Sequence, residues 1–477
     1  MSEFADRVRE TTTTTGTGTI SLSGTATTAC RTFSASVTAG GAGNLSDGGA
    51  TTICIEAVDA AGSPTGDWEI CDSVYTVSGN TLTRGTLIGS STGSRVSFAA
   101  GTKNVFVTAA AKKLVYVDNY RTCNFVLTLS SGVTYPTTDL TACTTLYLTP
   151  LDGNSIGLYN GTSWSMVTSS EVSLALGTLT SKRPYDVFAY NNSGVVTLEV
   201  LAWTSTSARA TGLVTQDGIL VKSGATTRRY LGTLHACGNQ TATVTMTIAA
   251  PGVITYTAHG LFPNAPVVFT TTGALPTGLT AGTTYYVCPF STSATAAMTA
   301  DTFMVASTVG GTPITTSGSQ SGTHTCTVGT YTEDSQQNRL LFNYYNRSPK
   351  TMSKVLGVAN WTYSTATPRQ SNADTSNALN FVIGINNSVV AFEHFSVASN
   401  SSSTFTDGAL GYDAATAYSQ NSRAYIYQPA TVIGSGLAAL MLSPAIGLHY
   451  ISAIEIPSGT GTQTWNYNSQ IRGLINQ

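Results

Sequence analysis

Apolar and polar positions alternate along most of this chain with the period of two that belongs to half-buried strands. The pattern appears in "TTICIEAV", "DWEICDSVYTV", "KNVFVTAA", "NFVLTL", "TTLYLTPL", "RPYDVFAY", "NALNFVIGI", "SVVAFEHFSVAS" and "LHYISAIEI". Ser, Asn and Gly turns separate the runs, many at the spacing of about 8–12 residues typical of sandwiches. Two turns carry strong hairpin signals: Asn160-Gly161, and Asn191-Asn192-Ser193-Gly194 between two strands. Helical periodicity is confined to the first ten residues, where Phe4 and Val8 share a face, and to one turn at "SSEVSLAL" (169–176). The chain has no heptad run and no collagen-like repeat.

The pattern predicts an all-β protein of several β-sandwich or jelly-roll-like domains, with one small β-rich domain inserted in a loop. Hairpin strands over 172–233 end in "VKSGATTRRYLGT", and "TEDSQQNRLLFNYYNR" (332–347) resumes them a hundred residues later. The expected organisation is an N-terminal arm (1–20), an N-terminal β domain (21–112) and a small β domain (113–171). A discontinuous host sandwich (172–237 and 331–477) then carries the insertion (238–330). At 477 residues the chain has the length of roughly three domains.

Composition agrees with this reading. Only 10% of residues are charged, against about 25% in ordinary globular domains. Thr, Ser, Asn and Gly must therefore supply the polar surface, and β-branched Thr suits a pleated, half-exposed strand. The net charge of −2 removes any broad attraction to nucleic acid or an acidic membrane. The longest apolar stretch, "GLAALMLSPAIGL" (436–448), is too short to span a bilayer and is broken by Pro. "MSEFADRVRE" is charged and lacks the apolar core of a signal peptide, so synthesis in the cytoplasm is expected.

The cysteines are Cys30, Cys54, Cys71, Cys123, Cys143, Cys237, Cys288 and Cys326. None forms a CxxC pair and no His stands at ligand spacing from one, so neither a zinc site nor any other metal or cofactor is expected. Three disulfides are conceivable, each set against the alternative of buried free thiols. Cys54 and Cys71 flank "DAAGSPTG" almost symmetrically, Cys123 and Cys143 could bridge neighbouring strands, and Cys237 and Cys326 stand at the two ends of the insertion.

Catalytic patterns are sparse, and no catalytic residue is assigned. His235, His259, His324, His394 and His449 are isolated, and there is no GxSxG elbow or phosphate-binding glycine loop. Glycan cleavage would need two facing carboxylates, and Asp67/Glu69 or Glu333/Asp334 are the pairs to consider. For the second pair a structural role is favoured. Arg228-Arg229 precedes the insertion and Glu333-Asp334 follows it, so the four are expected to form ion pairs clamping its neck. Trp203, Trp361, Trp465 and the tyrosines are candidates for stacking on sugar rings, or for core anchors.

Several segments resemble structural proteins of tailed bacteriophages. "ADRVRETTTTTGTGTISLSG" (5–24) resembles their openings. "LYLTPLDGNSIGLYNGTSWSMVTSSEVSLAL" (146–176) and the run from "PYDVFAYNNSGVV" to "RRYLGT" (184–233) resemble a module recurrent in them, which "TEDSQQNRLLFNYYNRSP" (332–349) and "GLHYISAIEIPSGTGTQTW" (447–465) continue. "AHGLFPNAPVVFTTTGALPTGLTAGTTYYV" (258–287) is similar to a small β-rich domain seen across virion proteins. The resemblance implies a non-enzymatic virion component, most simply a peripheral neck, collar or tail appendage. It also admits a capsid decoration protein, or a receptor-binding fibre or glycan-cleaving tailspike. Its expected partners are copies of itself, as a homotrimer or ring of trimers, other virion proteins and a host surface glycan. The arm over 1–20 is its expected anchor.

Overall fold

The computed structural model describes residues 3–25, 29–37, 45–111, 119–288, 298–357 and 359–477. Regular structure in them is nearly all strand; the only α-helix among the described residues is the five-residue Phe33–Val37. The protein is all-β and multidomain. It divides into two compact units, Met1–Tyr120 and Arg121–Gln477. The boundary expected at 112/113 lies outside the described residues.

The first unit is built on one sheet, in the order Arg9–Thr12, Lys103–Val107, Ala50–Val58, Pro64–Thr76, Thr81–Leu82, Ile20–Ser21, with Leu87–Ser90 also paired to Pro64–Thr76. Ile53, Ile55, Tyr75 and Val105 form its core with Phe33 and Phe98. Helix and free arm are both corrected at the N-terminus. Arg9–Thr12 is a strand antiparallel to Lys103–Val107, with Arg9 opposite Phe106. Glu10 is buried there and accepts hydrogen bonds from the N–H groups of Phe33 (2.6 Å) and Gly24 (2.8 Å). The inward positions of this strand are Glu10 and Thr12, both polar, so no hydrophobic alternation marks it.

Among the described residues the second unit holds three large cores. In the first, the sheet Val172–Ala175, Thr145–Pro150, Phe125–Thr128 faces a sheet ordered Val195–Ala202, Arg183–Asn192, Ala225–Ala236, Ile219–Lys222, Leu213–Gln216, with Leu341–Asn343 also on Ala225–Ala236. Leu127, Leu148, Ile156, Val187, Leu231 and Leu234 fill the space between them. Residues 119–171 are therefore not a separate domain. A three-stranded sheet has one apolar face, and this one is covered by the host strands. The turn expected at "SSEVSLAL" is likewise a strand: Val172 pairs with Leu148 and Leu174 with Leu146. Both hairpin signals give tight turns. Ser193 and Gly194 take positive φ (53° and 94°), as a two-residue loop of the mirror-image type requires, and Asn191 Oδ1 accepts from Gly194 N–H at 2.6 Å.

The second core belongs to the insertion. Its sheet runs Thr302–Phe303, Ile254–Thr255, Gln240–Met246, His324–Val328, Pro266–Thr271, Thr284–Val287, Val305–Ala306. Tyr256, Phe269, Tyr285 and Phe303 are buried in it, and Tyr331 and Leu340 of the host close its base. The insertion also docks on the host: Lys182 Nζ donates to Ala258 O at 2.9 Å, and Asn239 Nδ2 to Leu179 O at 2.8 Å.

The third core lies inside a C-terminal sandwich. One sheet is ordered Arg423–Gln428, Thr404–Tyr412, Gly447–Ile456, Ala378–Ile383, Asn338–Arg339, Thr332–Asp334, Leu140–Cys143. The other is ordered Pro349–Val355, Gln470–Asn476, Val390–Asn400, Gln463–Trp465, Trp361–Thr362, with Ile433–Leu442 on the free side of Val390–Asn400. Trp361, Phe381, Phe392, Leu410, Ile451 and Trp465 pack between them.

Candidate functional site

The neck of the insertion is closed by the backbone, not by charge. Cys237 N–H donates to Tyr331 O (2.8 Å) and Tyr331 N–H to Cys237 O (3.0 Å). Gly238 follows at φ +73°, and a Cβ there would lie 1.9 Å from the carbonyl oxygen of Gly329. Arg228 and Arg229 are far from this point. Arg229 and Cys237 stand eight steps apart along the strand Ala225–Ala236 and its next residue, about 26 Å at 3.3 Å per step. Each of the four expected clamp residues has other surroundings. Arg228 and Lys222 both bind Glu199, at 2.7 and 2.6 Å. Arg229 is buried, stacks on Tyr345 and donates to the carbonyls of Thr122, Gly157 and Arg121 at 2.7–2.9 Å. Asp334 pairs with Arg339 at 2.8 Å and with Lys350. Glu333 is buried with Oε1 unpartnered; burial, with Asp139 and Asp334 nearby, holds its carboxyl well above the usual range.

None of the three disulfides forms, and every cysteine is a free thiol. Cys54 stands opposite Ile70 and Cys71 opposite Ile53, so a register one residue away from the symmetric one sends the two thiols to opposite faces of the sheet. Cys143 pairs with Thr332 and Cys123 bridges Ile156, on different sheets. Cys237 faces Tyr331, while Cys326 lies inside the insertion opposite Ala242 and Phe269. Burial pushes the thiols up, to about 11 at Cys54, Cys123 and Cys143 and about 12 at Cys71 and Cys326, which makes them poor nucleophiles.

The histidines have structural surroundings. His259 Nδ1 accepts from Leu261 N–H at 2.9 Å, and its Nε2 lies 3.0 Å from Thr299 O. His324 bridges Thr271 and Gln320, and His449 lies 2.8 Å from Asp413. His235 and His394 are buried, and burial lowers them to about 3 and about 4. His394 sits 3.1 Å from Ser396 Oγ, but both are enclosed, and among the described residues no carboxylate is hydrogen-bonded to either. The carboxylates of each candidate pair have different surroundings: Asp334 is held by Arg339 and Lys350 while Glu333 is buried beside it. Glu69 is buried between Arg84 and Arg95 while Asp67 is exposed. Burial pushes Glu69 up, but Arg84, the N–H of Val96 and Arg95 outweigh it and hold the carboxyl below its usual value. Among the described residues no three His, Cys, Asp or Glu side chains gather to hold a metal.

Trp203, Trp361 and Trp465 are buried anchors rather than sugar platforms. Arg209 lies 4.6 Å from the Trp203 ring, Trp361 Nε1 donates to Glu455 Oε2 at 2.6 Å, and Trp465 Nε1 to Tyr363 O at 3.3 Å. The exposed apolar groups lie elsewhere. Of 21 large apolar side chains exposed among the described residues, nine fall between Val389 and Met441. Phe405, Tyr425 and Tyr427 form an aromatic strip on one sheet of the C-terminal sandwich, with Phe405 opposite Tyr427 and their rings 5.0 Å apart. Arg423 lies 4.7 Å from the Tyr425 ring and pairs with Asp407. On the other sheet Ile433, Leu437 and Met441 project outward beside Phe395, and Leu474 lies two strands away. Sequence reasoning missed this surface, although its signal was present. No Asp, Glu, Lys or Arg occurs from Ala424 to Ile454.

No protein-family model and no curated protein matches the chain. Solved structures that match include the mosquito-larvicidal Cry4Aa toxin from Bacillus thuringiensis, 8% identical, with 70% of this chain aligned to 49% of that one at a TM-score of 0.19. Infectious bursal disease virus Gx strain is 12% identical, with 72% of this chain aligned to 73% of that one at a TM-score of 0.18. A Cry1Da tryptic core variant from Bacillus thuringiensis is 10% identical over 63% of this chain and 52% of that one, at 0.15. The chain spans about half the length of the toxin chains. Scores of this size are far below those of a shared fold.

Proposed function

We propose that this protein is a structural component of a tailed-phage virion, mounted as a peripheral neck, collar or tail appendage. The observation that carries this reading is the apolar surface between Val389 and Met441. Large apolar side chains stand exposed on both sheets of the sandwich, Phe405, Tyr425 and Tyr427 on one and Ile433, Leu437 and Met441 on the other, and clusters of this kind mark protein-binding surfaces. The segments resembling virion modules (146–233 and 332–349) support it from the sequence side. In this reading the chain turns over no substrate. It assembles through β-faces, as a homotrimer or ring of trimers, and binds other virion proteins. A capsid decoration role uses the same surface differently. A receptor-binding role draws on one specific observation: Phe405, Tyr425 and Tyr427 are exposed on two paired strands and Arg423 lies against Tyr425, a combination suited to stacking on a sugar ring.

Mass spectrometry of purified virions tests the first claim, and absence of the chain from them sinks it. Electron microscopy of particles labelled on this protein then separates neck or tail from capsid surface. A glycan array probed with the full chain and with Tyr425→Ala tests the receptor reading, which predicts a signal lost in the variant.

A further inference from the structure

The strand Ile433–Leu442 ends one side of its sheet. It pairs along its whole length with Val390–Asn400, from Val390 opposite Leu442 to Ser399 opposite Ile433. Among the described residues no strand pairs with its other edge and no further backbone hydrogen bond reaches it. Native proteins guard bare edges with charge, proline or brevity, because an open row of N–H and C=O groups accepts another strand. This edge has none of these guards. It is ten residues long, contains no proline and lies within the uncharged run Ala424–Ile454. The far edge of the same sheet, Pro349–Val355, begins with proline and carries Lys350 and Lys354.

The side chains define what fits. Inward-facing Gly434 and Gly436 admit Ile426, which would lie 2.7 Å from a Cβ at either position, so the inner side is filled. Outward, Ile433, Leu437 and Met441 are 64%, 52% and 73% exposed, with exposed Ser435 and Ala439 between them. The outward order is large, small, large, small, large, and it reads the same from both ends. Antiparallel pairing reverses one strand against the other, so a pattern symmetric about Leu437 matches its own copy. Ile433 then meets Met441, Ser435 meets Ala439, and Leu437 meets itself, all on one face. A second copy carries identical charges, and a neutral edge alone offers it no repulsion.

We propose that Ile433–Leu442 is a self-pairing edge. Two copies of the chain join antiparallel about a two-fold axis at Leu437, fusing their sheets along a strand about 30 Å long. The proposal does not rest on the virion reading, since it requires only a second copy; in a trimeric assembly this two-fold contact joins one trimer to another. Sedimentation of the full chain at micromolar concentration tests it. Leu437→Lys sets two ammonium groups against each other at the axis, and the expected result is a halving of particle mass with near-UV circular dichroism unchanged. Leu437→Cys should form a disulfide with its own copy on mild oxidation, because directly opposed residues lie about 4.5–5.5 Å apart at Cα. Ser435→Cys alone should not, whereas Ser435→Cys with Ala439→Cys should. A mass unchanged by Leu437→Lys, or no crosslink from Leu437→Cys beyond the wild-type background, overturns the proposal.

Discussion

The insertion and the C-terminal sandwich are built from similar material and finished differently. Both are nearly free of Asp, Glu, Lys and Arg over long stretches: Asp301 is the sole one in 238–330, and there is none from Ala424 to Ile454. Each buries a cluster of aromatics, Tyr256, Phe269, Tyr285 and Phe303 in one and Trp361, Phe381, Phe392 and Trp465 in the other. They part at the solvent face. In the insertion Thr241 stands opposite Thr327 and Thr243 opposite Thr325, so the outer ladder is threonine. Threonine satisfies the strand with its branched Cβ and satisfies water with its hydroxyl. In the sandwich the equivalent outward positions are Ile433, Leu437 and Met441. Low charge therefore does not mark an interface by itself. The identity of the outward-facing residue does.

The largest expected effects come from emptying the two cores separately. Trp465→Ala and Phe269→Ala should each cost about 3–5 kcal/mol. Hydrogen exchange should then show lost protection in the sandwich strands for the first and in Gln240–Met246 and His324–Val328 for the second. Loss of protection over Ile433–Leu442 in Phe269→Ala would show that the insertion is not an independent cooperative body.

Gly238→Ala places a methyl group against the carbonyl of Gly329 at the neck, in a backbone with φ +73°. The variant should lose at least about 1 kcal/mol in urea unfolding, because alanine strains a left-handed backbone that glycine adopts freely. Unchanged stability would mean that the neck opens at little cost.

Protonation separates two buried groups within the sandwich. Burial raises Glu455 to about 7, with Arg369 and Trp361 offsetting it only in part. Its folded value lies above its unfolded one, so the native state holds the extra proton. That stabilisation is complete below the unfolded value and is lost as pH rises through about 7. Buried His394, lowered to about 4, acts in the opposite sense, since its contribution is present above its unfolded value and is lost as pH falls toward 4. Glu455→Gln removes the first effect and keeps the second. The melting temperature of the wild type minus that of the variant should therefore rise as pH is lowered from about 8 to about 5. A gap that stays flat would show that Glu455 is ionised throughout.

The smallest effect is the control. Thr243→Lys on the outer face of the insertion should change stability by no more than about 0.5 kcal/mol and leave the sedimenting mass alone. Dissociation by this variant as complete as that by Leu437→Lys would erase the distinction between the two surfaces.

Much of the strand content was legible because alternation and turn chemistry agree, as at Asn191–Gly194 and Asn160-Gly161. Arg9–Thr12 escaped because its inward residues are polar, and Glu10 becomes acceptable there only when the N–H groups of Phe33 and Gly24 arrive from distant positions. Val172–Ala175 escaped because Val172, Leu174 and Leu176 fit a short helical turn as well as a strand, and only pairing with Thr145–Leu148 decides between them. The expected partners failed for a related reason. Cys54 and Cys71 are separated by a one-residue register, and Arg229 is carried away from the neck by the length of one strand.

The sequence by itself determined the class of structure, the positions of the tight turns and the interruption of one module by another, since these rest on local periodicity and on backbone preferences of a few adjacent residues. Tertiary structure alone decided which charges meet, which thiols stay apart, which tryptophans are enclosed and which strand is left at an edge. Those outcomes depend on register and sheet order, where a shift of one residue exchanges the inner face for the outer, and no local pattern encodes that choice.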